Sequence, residues 1–369
     1  MRPVLVVRLV ASVLAAAVIL GIIVSAVRTF VVPRGLPVAL SRIVFVVLRG
    51  VFLRLPRRSK DYAALDHRMA FYAPTALLTL PLVWLTAVLG AFAVLYWAID
   101  QEGAWTALET SGSSLLTLGF QHPGSRVTTV LSFGEAAIGL TLLALLITYL
   151  PTIYGAFTRR ESFVSLMEGR AGSPPWGVTM LLRYQQIGLL DRSDELWERA
   201  ELWFSDIEES HTSLGALSFF RSPQPEHSWV TTAGAVLDAA SLRLAALDLP
   251  DDPHCALCIR SGYLSLRRIA AYFDIPYDAD PQPMDPISIS RDEFDDALDR
   301  LAAEGTPLRA DRDQAWRDFR GWRVNYDPVL VALAKLTFAP IAPWSSDRVG
   351  ADADAAPGLR IRRRRRSST

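Results

Sequence analysis

Three stretches of the chain are too long and too apolar for the core of a small soluble domain. Residues 9–27 and 69–99 contain no charged side chain, and residues 127–158 contain only Glu135 before Arg159. As α-helices, these stretches extend about 28 Å or more, which matches a hydrocarbon core about 30 Å thick. The sequence therefore predicts an all-α membrane protein with three transmembrane helices.

The charges predict which ends of these helices face the cytoplasm. The chain has no net charge overall, yet residues 1–160 carry +8, residues 161–357 carry −14 and residues 358–369 carry +6. Residues 28–68 hold nine Arg or Lys against two Asp, the strongest positive-inside signal in the chain. We therefore expect a multi-pass protein of the cell inner (plasma) membrane, with its C-terminus in the cytoplasm.

The first apolar stretch has an alternative interpretation as a secretory signal peptide. Arg2 and Arg8 precede it, and it ends near small residues, Ser25 and Ala26, that suit cleavage. Cleavage would leave the basic residues 28–68 outside the cell, which the positive-inside rule disfavours. An uncleaved first span is the preferred interpretation.

Changes in charge and hydropathy divide the chain into five segments. They are an N-terminal transmembrane helix (1–35), a basic interfacial segment (36–68), a domain with the second and third spans (69–160), a cytoplasmic helical domain (161–345) and a flexible polybasic tail (346–369).

Two basic regions are predicted to contact membrane lipids. Residues 40–55 are apolar apart from Arg42, Arg49 and Arg54, which predicts a helix at the cytoplasmic interface with arginines reaching headgroups. A fourth span or a re-entrant hairpin is the alternative for this segment. In the tail, the arginine run that includes Arg362, Arg363 and Arg364 is attracted to anionic lipid, or alternatively docks on the acidic domain.

The segment between the second and third spans is neither a span nor an ordinary external loop. Residues 103–123 are too short and polar to cross the membrane, yet too apolar for a solvated loop. Residues 104–116 suit a short helix, followed by Thr117-Leu118-Gly119-Phe120. Non-helical backbone at membrane depth is tolerated only inside protein or beside a watery cavity. A half-helix followed by glycine-containing chain can supply carbonyl oxygens that replace the hydration shell of an ion.

Here the chain resembles the pore-loop ion channels, in particular bacterial two-span potassium-channel domains. Thr117, Leu118, Gly119 and Phe120 fall on the T-V-G-Y positions of the channel filter, and the third span is similar to the channel inner helix. The resemblance covers residues 75–160. It departs at three positions: Leu116 replaces a threonine, Gln121 the second filter glycine and His122 an aspartate.

The resemblance implies roles for individual residues. It implies a selectivity filter at Thr117, Leu118, Gly119, Phe120 and Gln121, support of the filter by Ser113 and Glu135, and a gating hinge at Gly139 and Pro151. Conduction of monovalent cations would require a homotetramer, because one pore loop supplies one wall of a pore. The second filter glycine normally takes a left-handed backbone conformation, which glutamine adopts only with strain. Potassium selectivity is therefore expected to be reduced.

Glu135 has two interpretations. Either its carboxylate packs behind the filter, bonding Thr117, Ser113 or a backbone N–H of the loop, or it lies hydrated near the outer interface.

A competing hypothesis is a non-conducting membrane scaffold or sensor that retains a degenerate pore hairpin, as Gln121 and His122 suggest. The sequence has no nucleotide-binding glycine loop, nucleophile elbow or zinc-protease motif, so we expect neither an enzyme nor a cofactor. We also expect no nucleic-acid partner.

The acidic region reads as an all-helical domain. Apolar periodicity predicts helices over residues 178–190, 194–210, 229–247, 256–273, 291–303 and 312–338, with a break at Pro328. Ser290 and Glu293 form a capping-box pattern. Cys255 and Cys258 form C-x-x-C, but a zinc site needs four ligands and no second pair follows, so no metal site is expected.

Overall fold

The computed structural model describes residues 2–30, 39–54, 62–101 and 103–348. The predicted tail contacts of Arg362, Arg363 and Arg364 lie outside these residues. The helices are α1 (Arg2–Phe30), α2 (Ala39–Arg54), α3 (Tyr62–Ala70), α4 (Tyr72–Asp100), α5 (Ala104–Leu115), α6 (Arg126–Ala171), α7 (Gly177–Gln186), α8 (Asp194–Ser213), α9 (Trp229–Ala246), α10 (Pro253–Tyr272), α11 (Arg291–Ala303), α12 (Arg312–Arg323) and α13 (Asp327–Thr337). Two short 3₁₀ turns cover Gly215–Phe219 and Ser346–Arg348.

The all-α prediction is confirmed for the described residues. They contain no β-strand, and only an isolated bridge joins Leu247 to Leu308. Three helical stretches are long and apolar enough to cross a membrane, namely Pro3–Phe30, Ala64–Asp100 and Arg126–Ala171. These contain the three apolar stretches found in the sequence.

The chain divides into two units. The first comprises Met1–Leu53 and Ala73–Tyr154, and the second comprises Arg54–Tyr72 and Gly155–Thr369. Helix α6 contributes residues to both.

The core of the first unit forms where small and aromatic side chains of α1 and α4 meet. Ala15 and Ala26 of α1 are buried in the same cluster as Trp84 of α4, which is fully buried. Phe30 packs edge-on against Trp84 and Tyr149, with ring centroids 5.2 and 4.4 Å apart. Much of the remaining α1 surface is exposed and apolar, which suits contact with lipid.

Helix α9 lies at the centre of the second unit and is buried along nearly its whole length. Its Ala-rich sequence permits this close packing, because small side chains let neighbouring backbones approach. At Gly177, at the start of α7, a Cβ atom would lie 2.7 Å from the Ala239 nitrogen of α9, so only glycine fits.

Local capping signals set the helix boundaries of the second unit. The predicted capping box at Ser290 and Glu293 is confirmed at the start of α11. Asp252 and Asp311 cap α10 and α12 by accepting hydrogen bonds from backbone N–H groups. The predicted break near Pro328 is also confirmed, since α12 ends at Arg323 and α13 begins at Asp327.

Candidate functional site

Helix α5 and the loop after it form the candidate site of the first unit. Helix α5 covers Ala104–Leu115, within one residue of the predicted segment, and its 12 residues extend about 18 Å. That length is too short to span a hydrocarbon core. The buried side of α5 is small and polar, with Ala107, Thr110, Ser111 and Ser113 among its buried residues.

The C-terminus of α5 ends in a tight hydrogen-bonded turn. Thr117 donates its backbone N–H to the Ser114 carbonyl at 3.1 Å, and Leu118 donates to the Ser113 carbonyl at 2.8 Å. This is the Schellman arrangement, in which the residue after the helix takes a left-handed conformation. Thr117 does so here, with φ +54°, although glycine is the usual residue. Gly119 also has a positive φ, +72°.

Ser113 holds the far end of the same loop. Its hydroxyl accepts a hydrogen bond from the Gln121 N–H at 3.0 Å and lies 3.2 Å from the Gln121 carbonyl oxygen, to which it can donate. Gln121 has no positive φ, so the left-handed strain expected at this position is absent. Instead, the Ser113 hydroxyl contacts both the N–H and the carbonyl oxygen of Gln121.

In residues 117–120, the backbone N–H groups and the backbone carbonyl groups differ in their hydrogen bonding. The N–H groups of Thr117 and Leu118 bond carbonyls of α5, as described above. Gly119 also donates its N–H to the Ser113 carbonyl, at 3.4 Å. Among the described residues, no donor bonds any of the four carbonyl oxygens of residues 117–120. All four of these residues are exposed. The four carbonyl oxygens of this exposed loop therefore have no protein donor among the described residues.

Glu135 joins three helices of the first unit. The Tyr96 hydroxyl of α4 donates to its Oε2 at 2.7 Å, and the Ser111 hydroxyl of α5 lies 2.5 Å from its Oε1. The same Ser111 oxygen is 2.9 Å from the Leu89 carbonyl oxygen. Glu135 and Ser111 are fully buried, and Tyr96 is 1% exposed. Burial excludes the hydrated interpretation of Glu135 in this structure.

The partners of Glu135 differ from those expected. Thr117 and Ser113 were the anticipated contacts, whereas the carboxylate bonds Ser111 and Tyr96. Ser111 lies two residues before Ser113 and therefore points to another side of α5. Sequence reasoning missed both Tyr96 and Ser111, because the register between the three helices has no local signal.

Gly139 lies where α5 meets α6. A Cβ atom at this position would be 2.4 Å from the Leu115 carbonyl oxygen and 3.1 Å from a Leu115 methyl group. A backbone oxygen cannot rotate away, so glycine is required for close packing. The structure thus gives Gly139 a packing role, and the proposed hinge role stays a prediction.

Pro151 lies inside α6, which continues as one helix from Arg126 to Ala171. Proline removes one helical hydrogen bond, a common origin of bends. Its role as a hinge also stays a prediction.

The three arginines predicted at the interface differ in exposure. Arg54 is exposed and Arg42 is half-buried, whereas Arg49 is 6% exposed. Arg54 is the most accessible of the three, and contact of these arginines with lipid headgroups stays a prediction.

A buried charge cluster in the second unit was not anticipated. Arg323 of α12 bonds Asp238 of α9, Asp327 of α13 and the Trp344 carbonyl oxygen. The Tyr326 hydroxyl donates to Asp238 at 2.8 Å. Burial raises the pKa of Asp238 to about 6, although Arg323 acts in the opposite direction. The cluster joins three helices and the chain after α13.

The C-x-x-C pair lies buried within α10. Cys255 and Cys258 are both fully buried, and burial raises the pKa of each thiol. A buried neutral thiol is a poor metal ligand and a poor nucleophile. No group of three or more His, Cys, Asp or Glu in the described part of the chain could hold a metal ion.

Comparison of the chain with protein-family models, with curated proteins and with solved structures gives no match. Functional assignment therefore rests on the residues of this chain.

A Tyr96→Phe variant tests the buried carboxylate. Loss of the hydroxyl leaves Oε2 of Glu135 without a donor, so we expect unfolding to become easier by about 1.5–3 kcal/mol. The thermal unfolding midpoint in detergent should fall, measured by circular dichroism. Tyr277→Phe is the matched control, because the Tyr277 hydroxyl bonds none of the described residues and the ring is 39% exposed. Equal midpoints for the two variants would show that the Tyr96 hydroxyl contributes nothing.

Proposed function

We propose that the chain is a subunit of a tetrameric cation channel, with α5 as a re-entrant half-helix and the loop after it as the filter. One observation carries this proposal: four consecutive carbonyl oxygens, of residues 117–120, accept no hydrogen bond from the described residues. Carbonyl rings from four subunits are the arrangement that replaces the hydration shell of a monovalent cation.

The lengths of the helices support a membrane pore. Helix α5 lies in sequence between two helices long enough to span a bilayer, but is itself too short. Exposed irregular backbone is unfavourable in lipid, because unpaired carbonyl groups there are costly. Residues 117–120 are therefore best accommodated beside water on the axis of an oligomer, with copies of this chain covering their flanks.

The proposed orientation follows from charge. The basic residues 28–68 and the helical domain 161–345 lie on the cytoplasmic side of the inner membrane. The loop after α5 opens to the opposite side. The Glu135 contacts to α4 and α5 would hold the half-helix in place, while Gly139 permits its close approach to α6.

The second candidate is a non-conducting scaffold or sensor. Gln121 favours it, because both polar groups of its backbone are bonded to Ser113 and leave no free carbonyl at the fifth filter position. Four carbonyl positions nevertheless remain free, so conduction is preferred, with weaker discrimination between potassium and sodium.

Potassium and sodium flux from liposomes tests the channel proposal. We expect flux from the native protein and its loss in Gly119→Val, because a β-branched residue is strained at φ +72°. Gly119→Asn is the matched control, since asparagine tolerates the left-handed conformation and a Cβ here meets no atom within 4 Å. This variant should retain flux.

If the purified protein shows no ion flux, its oligomeric state decides how that result is interpreted. Light scattering of the purified protein should give the mass of a tetramer. A folded monomer without flux would contradict the channel proposal. A silent tetramer whose biological function survives Gly119→Val would favour the scaffold.

A further inference from the structure

A cavity of about 420 Å³ opens in the second unit, away from the loop after α5. Its walls are Tyr62, Glu168, Ser173 and the segment 224–227. All of these residues belong to the second unit. The volume is within the range of about 300–1,000 Å³ typical of small-molecule sites. It is many times the volume of about 30 Å³ that one water molecule occupies in the liquid.

The buried wall of this cavity holds a histidine without a hydrogen bond. The His227 side chain is 5% exposed, and its nearest charged atom is Oε2 of Glu168, 3.6 Å from Nε2. That separation exceeds hydrogen-bond distance, and no other polar partner of the ring occurs among the described residues. An N–H donor that enters the cavity can therefore approach both Nε2 of His227 and the Glu168 carboxylate.

The rim of the cavity is negative. Glu168 and Glu226 are exposed, and one Glu226 oxygen accepts a hydrogen bond from the Ser173 hydroxyl at 3.0 Å. Among the described residues, no donor lies within hydrogen-bond distance of the Glu168 carboxylate. Two carboxylates and an imidazole favour a ligand that carries positive charge and several N–H groups.

The volume and the lining of the cavity favour an organic ligand over a bare metal ion. No metal-binding group of three His, Cys, Asp or Glu is present in the described part of the chain, and the cavity is too large for one ion. The Pro225 ring and the Tyr62 ring supply apolar surface for a carbon chain between charged ends. Tyr62 is itself fixed, because its hydroxyl lies 3.1 Å from the Phe338 carbonyl oxygen and 3.3 Å from Arg221.

We propose that this cavity binds a small organic cation of the diamine or aminoalkyl-guanidine class. One ammonium or guanidinium group bonds Glu168 and His227, and the other end bonds Glu226. The alkyl chain lies on Pro225 and Tyr62. Binding at this site does not require ion conduction, so its test is independent of the test of the channel proposal.

Calorimetric titration of the full-length protein in lipid nanodiscs tests the site. The probes are 1,4-diaminobutane, its neutral analogue 1,4-butanediol and the dicarboxylate succinate. We expect one diamine to bind per chain, with a dissociation constant of about 1 mM or lower. The diol and the dicarboxylate should not bind.

Two single substitutions test whether the diamine binds in this cavity. Glu168→Gln and Glu226→Gln keep the side-chain shape, and each should weaken diamine binding about tenfold, the usual effect of one lost charge-assisted bond. Glu195→Gln, at an exposed position on α8, is the matched control and should bind as the native protein does. Unchanged unfolding midpoints would show that all three variants are folded.

Any of three results would overturn the proposal. One is the absence of diamine binding to the folded native protein. Another is binding that is equally strong in the two cavity variants and in Glu195→Gln. Binding of succinate in place of the diamine would likewise reject a cation site.

Discussion

On the channel proposal, replacing Gly139 with alanine is expected to abolish ion flux, whereas the same change at Gly134 should leave it intact. The new methyl group at position 139 would lie 2.4 Å from the Leu115 carbonyl oxygen, so α5 must move away from α6. Overpacking of this kind costs about 1–3 kcal/mol, and here it also displaces the loop that begins at Leu116. A Cβ at Gly134 meets no atom within 4 Å, and alanine there is a better helix former than glycine.

Flux and thermal unfolding should be measured together on both alanine variants. A lower unfolding midpoint with lost flux would support the packing role of Gly139. Normal stability with altered opening would instead support the hinge role that the family resemblance implies. Full flux and native stability in Gly139→Ala would contradict the close contact between α5 and α6.

Removing Arg323 is expected to be the most destabilising single change in the C-terminal helical unit. Arg323→Met leaves Asp238 and Asp327 buried without their cation, which typically costs about 3–5 kcal/mol. Arg317→Met, on the same helix, is the control, because Arg317 is exposed and, among the described residues, bonds only Gln314. That change should alter stability by about 0.5 kcal/mol or less. Chemical denaturation followed by tryptophan fluorescence measures both.

The effect of Arg323→Met should depend on pH. In the native protein, the pKa of Asp238 is raised to about 6 from an ordinary value of 3.8. A carboxyl group with a raised pKa in the folded state binds protons more tightly there, so its contribution to stability falls as pH rises from 3.8 to 6. Loss of Arg323 raises this pKa further. The variant should therefore be more destabilised at pH 8 than at pH 5, and an equal loss at both would show that Asp238 is not the group involved.

The helices of the C-terminal unit could be predicted because their signals are local. The capping box of Ser290 and Glu293, and the break before Pro328, each depend on residues within one or two turns. The three apolar stretches were equally visible, since hydropathy is summed over contiguous residues. These features follow from backbone and solvent chemistry that needs no tertiary contact.

The polarity of residues 103–123 predicts a short helix and a loop between the second and third spans, and α5 lies there. The role of Ser113 as a filter support stays a prediction. The bonding partners of Glu135 were not found, because Tyr96 and Ser111 are 39 and 24 residues away in the chain. Gly139 was noticed for flexibility, whereas its contact with Leu115 gives it a packing role.

The sequence by itself determined the all-α class, the three apolar helices long enough to span a bilayer and the ends of most helices, because hydropathy and capping act over short stretches of chain. Only the tertiary structure decided which buried charges pair, as at Arg323 and Asp238, and which side chains, such as Glu168 and His227, line one cavity. These features depend on the register between helices that are distant in sequence. That register is set by the packing of many side chains at once, and no single motif encodes it.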